Sequence, residues 1–334
     1  MFKRVLSLFD GMSVAQQALK NIGADVEVYY ASEIDEYAMA VTQSNFPNTV
    51  QMGSVTQIDA QQNNLMIGKE TGIAVYTYDK VLDIDLLIGG SPCQDLSIAK
   101  KNRQGLSGER SGLFWEYVRI RDEVKPKYFI LENVASMPKE AKEVISEALG
   151  VQPVMINASL VSAQNRKRLF WVGKWNGEKY IQVEIPQPED KGILLKDILE
   201  DGYVDREKSY CLDASYWKGT NVEQYLKKAR RQIVFQYRRG NWRINETGKC
   251  PTLTANMGTG GHNVPFIKYK DGIRKLTPTE CLRLQSMPDD YFDKAEYKGK
   301  PISNTQRYKM CGNAFDYAVI EHILKHIDIM QDEI

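Results

Sequence analysis

The sequence predicts a doubly wound α/β fold with a mostly parallel sheet, followed by a smaller, irregular, mostly-β second domain. Three observations carry this. The first half alternates short β-branched runs with amphipathic stretches, the pattern of βαβ units. After Trp175 that alternation stops, and prolines at 186 and 188 lead into broken strand-like pieces with turn signals such as Arg239-Gly240-Asn241 and Gly258-Thr259-Gly260-Gly261. Finally, 334 residues are enough for two domains at roughly 150 residues each.

Taken in order, Arg4 to Phe9 reads as the first strand. A turn at Asp10-Gly11-Met12-Ser13 follows, then a helix from Val14 to Ile22 stopped by Gly23. Val26 to Ala31 is the second strand and leads to Glu33. Further strands are expected at Asp85 to Ile88, Lys127 to Leu131, Val154 to Ala158 and Leu169 to Gly173, with helices over Ser111 to Val124 and Lys139 to Leu149. Gln61 to Lys80 fits neither period and reads as an inserted loop or hairpin. Phe315 to Ile329 is amphipathic and follows Gly312-Asn313, which predicts a closing helix that returns to the first domain. The division expected is 1–183 for the first domain, 184–301 for the second, and 302–334 for the returning segment.

Composition excludes several function classes. With 43% hydrophobic and 26% charged residues the chain has the make-up of a soluble globular protein. No apolar run approaches the roughly 20 residues of a membrane span, and Met1-Phe2-Lys3-Arg4-Val5 enters a strand directly instead of a secretory leader. Neither a membrane nor a metal is expected. The five cysteines are odd in number and none forms Cys-x-x-Cys, which argues against a disulfide framework or a structural zinc site and for a reducing cytoplasm. Only three histidines are available as imidazole bases, so the chemistry should rest on other groups.

Four places concentrate chemistry-bearing residues. The turn Phe9-Asp10-Gly11-Met12-Ser13, with Glu33 after the second strand, has the layout of a nucleotide-cofactor site, in which helix-start amides and an acidic residue hold polar groups of the ligand. It lacks the three glycines of the dinucleotide fingerprint, which speaks against NAD and leaves room for another adenosyl ligand. Gly89-Gly90-Ser91-Pro92-Cys93-Gln94-Asp95-Leu96-Ser97 puts Cys93 in a loop at the carboxyl end of a strand, where open α/β sheets bind ligands. The other cysteines, Cys211, Cys250, Cys281 and Cys311, read as packing residues. Phe129-Ile130-Leu131-Glu132 drives an apolar strand into a carboxylate at its end, where burial would favour the protonated form. In Gln164-Asn165-Arg166-Lys167-Arg168, alternation sends Arg166 and Arg168 to the same side. Each has a plainer alternative: a tight turn, a packed thiol, a solvated Glu, a surface basic run.

Together and in this order, Phe9-Asp10-Gly11, Glu33, Pro92-Cys93-Gln94, Glu132-Asn133-Val134, Gln164 to Arg168, Thr277-Pro278-Thr279-Glu280-Cys281-Leu282-Arg283-Leu284-Gln285 and Gly312-Asn313-Ala314 resemble the DNA (cytosine-5)-methyltransferase family over nearly the whole chain. The resemblance implies a Rossmann-like, S-adenosylmethionine-dependent methyltransferase sheet with a target-recognition domain, of bacterial or phage type. It implies that the Cys93 thiolate adds to C6 of a flipped-out cytosine, so that C5 becomes nucleophilic enough to take the donor methyl. Glu132 would contact N3 and the exocyclic amine, and Arg168 the O2 side with Arg166 beside it. The proton acceptor is expected to be a water held near Gln94 or Ser97.

For the cofactor, the resemblance implies Phe9, Asp10, Gly11, Met12 and Ser13 at the first turn, Glu33 on the ribose, Ile34 and Val55 flanking the adenine, and Pro92, Leu113, Asn313 and Ala314 completing the pocket. Two departures stand out. Ser13 replaces a motif glycine, and Ser54 replaces an acidic residue that would accept from the adenine amine, which together imply weaker cofactor binding. The stretch Gln224 to Arg243 has no Asp or Glu and carries Arg230, Arg231, Arg238, Arg239 and Arg243 with Tyr225, Tyr237 and Trp242. It suits phosphate neutralisation on double-stranded DNA, with a solvated basic face as the alternative. Thr252 and Thr254 match a Thr-Leu element of the recognition region and are expected phosphate contacts. A monomer is expected.

Motifs separate this reading from its competitors. A tRNA methyltransferase of the same superfamily usually carries Cys-Phe-Thr, and none is present. A zinc deaminase needs Pro-Cys-x-x-Cys, and Leu96 stands where its second cysteine belongs. Amino-methylating enzymes need an Asp/Asn-Pro-Pro-Tyr/Phe motif, also missing. A non-catalytic DNA-binding relative is disfavoured by intact Cys93, Glu132 and Arg168.

Overall fold

The computed structural model describes residues 2–59, 66–67, 84–92, 112–220, 222–228, 231–235 and 273–332. Its centre is an eight-stranded sheet. Strands β1 (Arg4–Leu8), β2 (Val28–Ser32) and β3 (Val50–Gln51) are parallel, with Leu6 beside Tyr30 and Ala31 beside Gln51. Ile58–Asp59 (β4) and Met66–Ile67 (β5) form a small antiparallel pair away from the sheet. On the other side of β1 lies β6 (Leu86–Gly89), followed by β7 (Tyr128–Val134), both parallel to it. The chain order therefore reverses at β1 and β6, whose carboxyl ends form the switch point where open α/β sheets bind ligands.

Beyond β7 the sheet turns antiparallel. β9 (Lys167–Trp175) runs against β7, and its far edge is shared by β8 (Pro153–Asn157) and β10 (Tyr180–Gln182). This pairing corrects one sequence-based expectation. β7 does not stop at Leu131, because Phe170, Leu169 and Arg168 of β9 pair with Glu132, Asn133 and Val134 and carry the strand three residues further. Glu132 thus sits inside a strand whose backbone is held on one edge by a partner that begins in the arginine motif.

The strands are apolar on both faces, as strands covered on both sides must be. Leu6, Leu8, Phe129 and Leu131 point to the face covered by α3 (Leu113–Val124) and α4 (Lys139–Leu149), where they meet Phe114, Tyr117, Ile120, Ile145 and Leu149. Val5, Leu86, Ile88 and Ile130 point the other way, onto α1 (Val14–Asn21) and, at the end of the chain, α8 (Tyr317–Asp332), through Ala15, Ala18, Ile320, Ile323 and Leu324. The predicted closing helix is this α8, offset by two or three residues.

Between these parts, α2 (Glu36–Asn45) is capped by the Asp35 carboxylate, which accepts from the Tyr37 amide. The segment after β10 carries α5 (Val222–Lys228) and the short antiparallel pair β11 (Ile233–Phe235) and β12 (Ile273–Lys275). It then returns through α6 (Pro278–Leu284), the pair β13 (Glu296–Tyr297) and β14 (Lys300–Pro301), and α7 (Asn304–Asn313). Helix α6 begins with a reciprocal cap, in which Thr277 accepts from the Glu280 amide and Glu280 accepts from the Thr277 amide. A third apolar cluster joins Met12, Val14, Ala38 and Val41 of the first part to Leu195, Leu212, Leu276, Leu282, Tyr308 and Cys311. Among the described residues no helix is long and apolar enough to cross a membrane.

Candidate active site at the switch point

The turn between β1 and α1 is unusual in its backbone. Phe9, Gly11 and Ser13 all have φ near +60°, at 57°, 61° and 57°. Only glycine adopts this region freely; an L-residue there costs about 1–2 kcal/mol. Ser13 offsets its cost with its side chain. Its hydroxyl donates to the Asp10 carboxylate and lies 3.2 Å from the Thr42 hydroxyl, while Tyr29 donates to the other Asp10 oxygen at 2.7 Å. The buried Asp10 carboxyl is pushed up to about 6 by desolvation, against the pull of the Ser13, Ser7 and Tyr29 hydroxyls. The substitution of serine for the motif glycine is thus answered by a local hydroxyl and carboxylate network.

Glu33 ties this turn to the next. Its carboxylate accepts from the Gly11 amide at 2.8 Å and from the Ile34 and Asp35 amides at 2.7 and 2.8 Å. Ile34 beside it is 74% exposed, an apolar side chain presented to solvent at the carboxyl end of the sheet. Phe9 and Leu113 pack against the cluster that contains buried Val55. Ser54 caps the short helical turn Val55–Gln57 by accepting from the Thr56 amide, so it serves the backbone at the position of the missing acid.

At the end of β6, Asn133 donates to the carbonyl and hydroxyl oxygens of Ser91 at 3.4 and 3.2 Å. It anchors the loop that leads into Pro92. A Cβ on Gly90 would come within 2.9 Å of the Phe315 ring and 3.1 Å of a Glu132 carboxylate oxygen, so only glycine lets this backbone lie against both. Across the pocket, Arg168 Nε pairs with Glu132 Oε1 at 2.8 Å, with both side chains mostly buried.

Arg166 is bound differently. It is buried, and its guanidinium donates to the carbonyls of Ala314 at 2.6 Å, Leu212 at 3.3 Å and Gly312 at 3.4 Å, and to Cys211 Sγ at 3.4 Å. Arg168 reaches the same sulfur at 3.8 Å. Burial raises the Cys211 thiol, but the two guanidinium groups outweigh it and hold it below its ordinary value. Buried Gln164 donates to the Leu284 carbonyl at 2.6 Å and to Gln285 Oε1 at 3.0 Å, and Gln285 in turn donates to the Cys311 carbonyl. A Cβ on Gly312 would lie 2.3 Å from the Asp213 carbonyl carbon, so the end of α7 packs directly on the backbone of 213 and 214.

Residues 3–328 match the family described as C-5 cytosine-specific DNA methylase. The chain belongs to that family. It is 32% identical to the type II methyltransferase M.Bsp6I of Bacillus sp. (strain RFL6), over 97% of this chain and 98% of that protein. It is 29% identical to the type II methyltransferase M.HhaI of Haemophilus parahaemolyticus, over 97% and 94%. Among solved structures, DNMT2 of Spodoptera frugiperda superposes with a TM-score of 0.61 at 20% identity, covering 97% of this chain and 98% of that one. A putative DNA modification methyltransferase encoded in an Escherichia coli prophage superposes at 0.59 with 19% identity, over 98% and 99%. At these identities the structural likeness speaks to the fold alone.

In this cytosine-specific methylase, Phe9 to Ser13, Glu33, Ile34, Ser54, Val55, Pro92, Leu113, Asn313 and Ala314 are distributed over the turns around the switch point and the junction of α7 and α8. Cys93, Gln94 and Ser97 lie outside the described residues, as do Arg230, Arg238, Arg239, Arg243, Thr252 and Thr254. Arg231, at φ 49°, donates to the Gly219 carbonyl at 2.9 Å and lies 3.6 Å from Asp213. Two expectations need correction. Tyr225, grouped with the aromatics of the basic stretch, is fully buried and anchors a small core with Ile233 and Phe235. Cys211 is more than a packing residue, since its sulfur accepts from both motif arginines, whereas Cys281 and Cys311 are buried as expected. Residue type alone offered no signal for the roles of Asn133, Cys211 and the Gln164–Gln285 pair.

Proposed function

We propose that this chain methylates carbon 5 of a cytosine turned out of double-stranded DNA, with Cys93 as nucleophile and S-adenosylmethionine as donor. The observation that carries the site assignment is the Glu132–Arg168 pair, held over the glycine that opens the Pro92-Cys93 loop. Cytosine C5 is a poor nucleophile. Attack of the Cys93 thiolate on C6 forms the S–C6 bond and moves the ring electrons towards C5 and N3. Glu132 then holds a proton at N3, and Arg168 neutralises charge at O2. Once C5 has taken the donor methyl, loss of the C5 proton to a water near Gln94 or Ser97 re-forms the C5–C6 double bond, breaks the S–C6 bond and frees Cys93.

The residues around β1, β2 and β6 suit the donor. Gly11 presents an open backbone face, Glu33 a carboxylate with lone pairs left for ribose hydroxyls, and Ile34 an exposed apolar surface for a purine. When bound, S-adenosylmethionine supplies an electrophilic methyl on a sulfonium. Phe9, Asp10, Met12, Ser13, Ser54, Val55, Pro92, Leu113, Asn313 and Ala314 complete the pocket in this reading. Recognition of the DNA falls to residues 184–301, between a catalytic part at 1–183 and the returning segment 302–334. Arg231, with the arginines and threonines of the neighbouring sequence, belongs to that recognition surface.

The test is transfer of tritiated methyl to mixed duplex DNA and tRNA, followed by mapping of the modified base. Label at cytosine C5 in DNA is expected; label in tRNA alone would overturn the substrate. Duplexes with 5-fluorocytosine should trap the enzyme covalently, because fluorine does not leave as a proton does. A Cys93→Ser variant that still trapped would remove Cys93 from the mechanism.

A further inference from the structure

Arg166 and Asp316 each keep one buried polar atom without a hydrogen-bond partner among the described residues: Nε–H of Arg166 and Oδ2 of Asp316. The two side chains are only 4% and 5% exposed. One atom is a donor and the other an acceptor, on groups of opposite charge, and no ion pair within 4.0 Å joins them. Leaving such atoms unsatisfied in a low-dielectric interior is costly. Both residues line the same small cavity, together with Glu132, Arg168, Phe170 and Phe315, on the α8 side of the sheet beneath the Glu132–Arg168 pair. Its free space matches a single water molecule, and polar partners in the lining are what an internal water requires.

The geometry of Asp316 fits a bridging role. Its Oδ1 accepts from the Val319 amide at 3.4 Å and so caps α8, which leaves Oδ2 for the cavity. Desolvation lifts its carboxyl to about 6, while Ser162, Arg166 and the amides of Val319 and Ala318 pull it down. Arg166 in turn grips the carbonyls of Gly312 and Ala314, the two residues that flank Asn313.

We propose that the cavity is a built solvent site, in which one water bridges Arg166 Nε–H and Asp316 Oδ2, and that Asp316 acts through it as a positioning residue for Arg166 and for the α7–α8 junction bearing Asn313. The solvent site stands on the orphaned atoms alone; its effect on the donor rests on the assignment of Asn313 to the cofactor pocket. Asp316 lies two residues past the Gly312-Asn313-Ala314 motif and is not part of it.

A high-resolution crystal structure decides the first part. One ordered water within hydrogen-bond distance of both atoms is expected, and a dry cavity or a direct Arg166–Asp316 pair overturns it. Calorimetric titration with S-adenosylmethionine tests the second part. Asp316→Asn keeps the cap on α8 but loses the charge, and should weaken donor binding roughly tenfold, the equivalent of one charge-assisted hydrogen bond. In an Arg166→Lys background, which lacks the Nε–H, the same substitution should have no further effect. Losses that simply add, or donor binding unchanged by Asp316→Asn in a protein of unaltered melting temperature, overturn the positioning role. Failure of the native chain to bind S-adenosylmethionine at all would instead strike the functional reading and leave the crystallographic water to be judged by itself.

Discussion

Gly11 and Glu33, which join the first two turns of the sheet, are 22 residues apart, and Asp10 and Ser13 are three apart. On the opposite wall, Arg166 finds its partners 45 to 148 residues away, in Cys211, Leu212, Gly312 and Ala314. The near wall is a local device of neutral hydroxyls, backbone amides and one buried carboxyl. The far wall is a convergence of a buried guanidinium on carbonyls from two distant segments, 211–212 and 312–314. The difference teaches how each wall tolerates change: a local network can absorb a serine in place of a glycine, whereas a buried guanidinium has no substitute that satisfies the same carbonyls.

The strongest way to break this contrast is Arg166→Met. Removing a buried charge that satisfies several carbonyls should lower stability by about 3–5 kcal/mol, read as a shift in the urea midpoint, and a loss under 1 kcal/mol would show that the far wall is as forgiving as the near one. Next comes Glu132→Gln, which leaves the fold but removes the group opposite Arg168. Single-turnover methyl transfer should fall by about 10²–10³, the range for loss of one electrostatic stabiliser, with the melting temperature little changed.

The third test is pH. Asp10 on the near wall and Asp316 on the far wall both have carboxyls raised to about 6. The folded state therefore binds more protons than the unfolded state between about pH 4 and 6, so stability should decline as pH rises through that window and level off above it. Asp10→Asn should flatten its share of the decline in urea titrations at pH 4 and pH 7, and a decline of undiminished depth would contradict the assignment. The smallest effect expected is Ser13→Gly. It relieves the left-handed backbone but loses two hydroxyl contacts, so the net change should stay within about 1 kcal/mol, whereas Ser13→Ala keeps the strain and loses the contacts, at a cost of about 1–3 kcal/mol.

The same contrast explains what was legible in the sequence. Helix α4 was expected over its full observed range, and the first turn with Glu33 was placed as a site, because periodicity and turn residues are short-range signals. The full length of β7 was not legible, because it depends on pairing with β9 across a separation that periodicity does not register. Arg166, just before β9, and Arg168, within it, reach the same Cys211 sulfur, yet nothing in the chain said that one would grip carbonyls and the other a carboxylate. Cys211 looked like any small apolar residue until two guanidinium groups were found at its sulfur.

The carbonyls that hold Arg166 are made late, since Gly312 and Ala314 are translated long after the strand that carries the arginine. A growing polypeptide can complete the first turn of its sheet early but must wait for α7 and the start of α8 before the opposite side can lock. Methyl transfer should therefore switch on only once residues 312–314 have been made, so that chains cut short before them leave DNA unmarked.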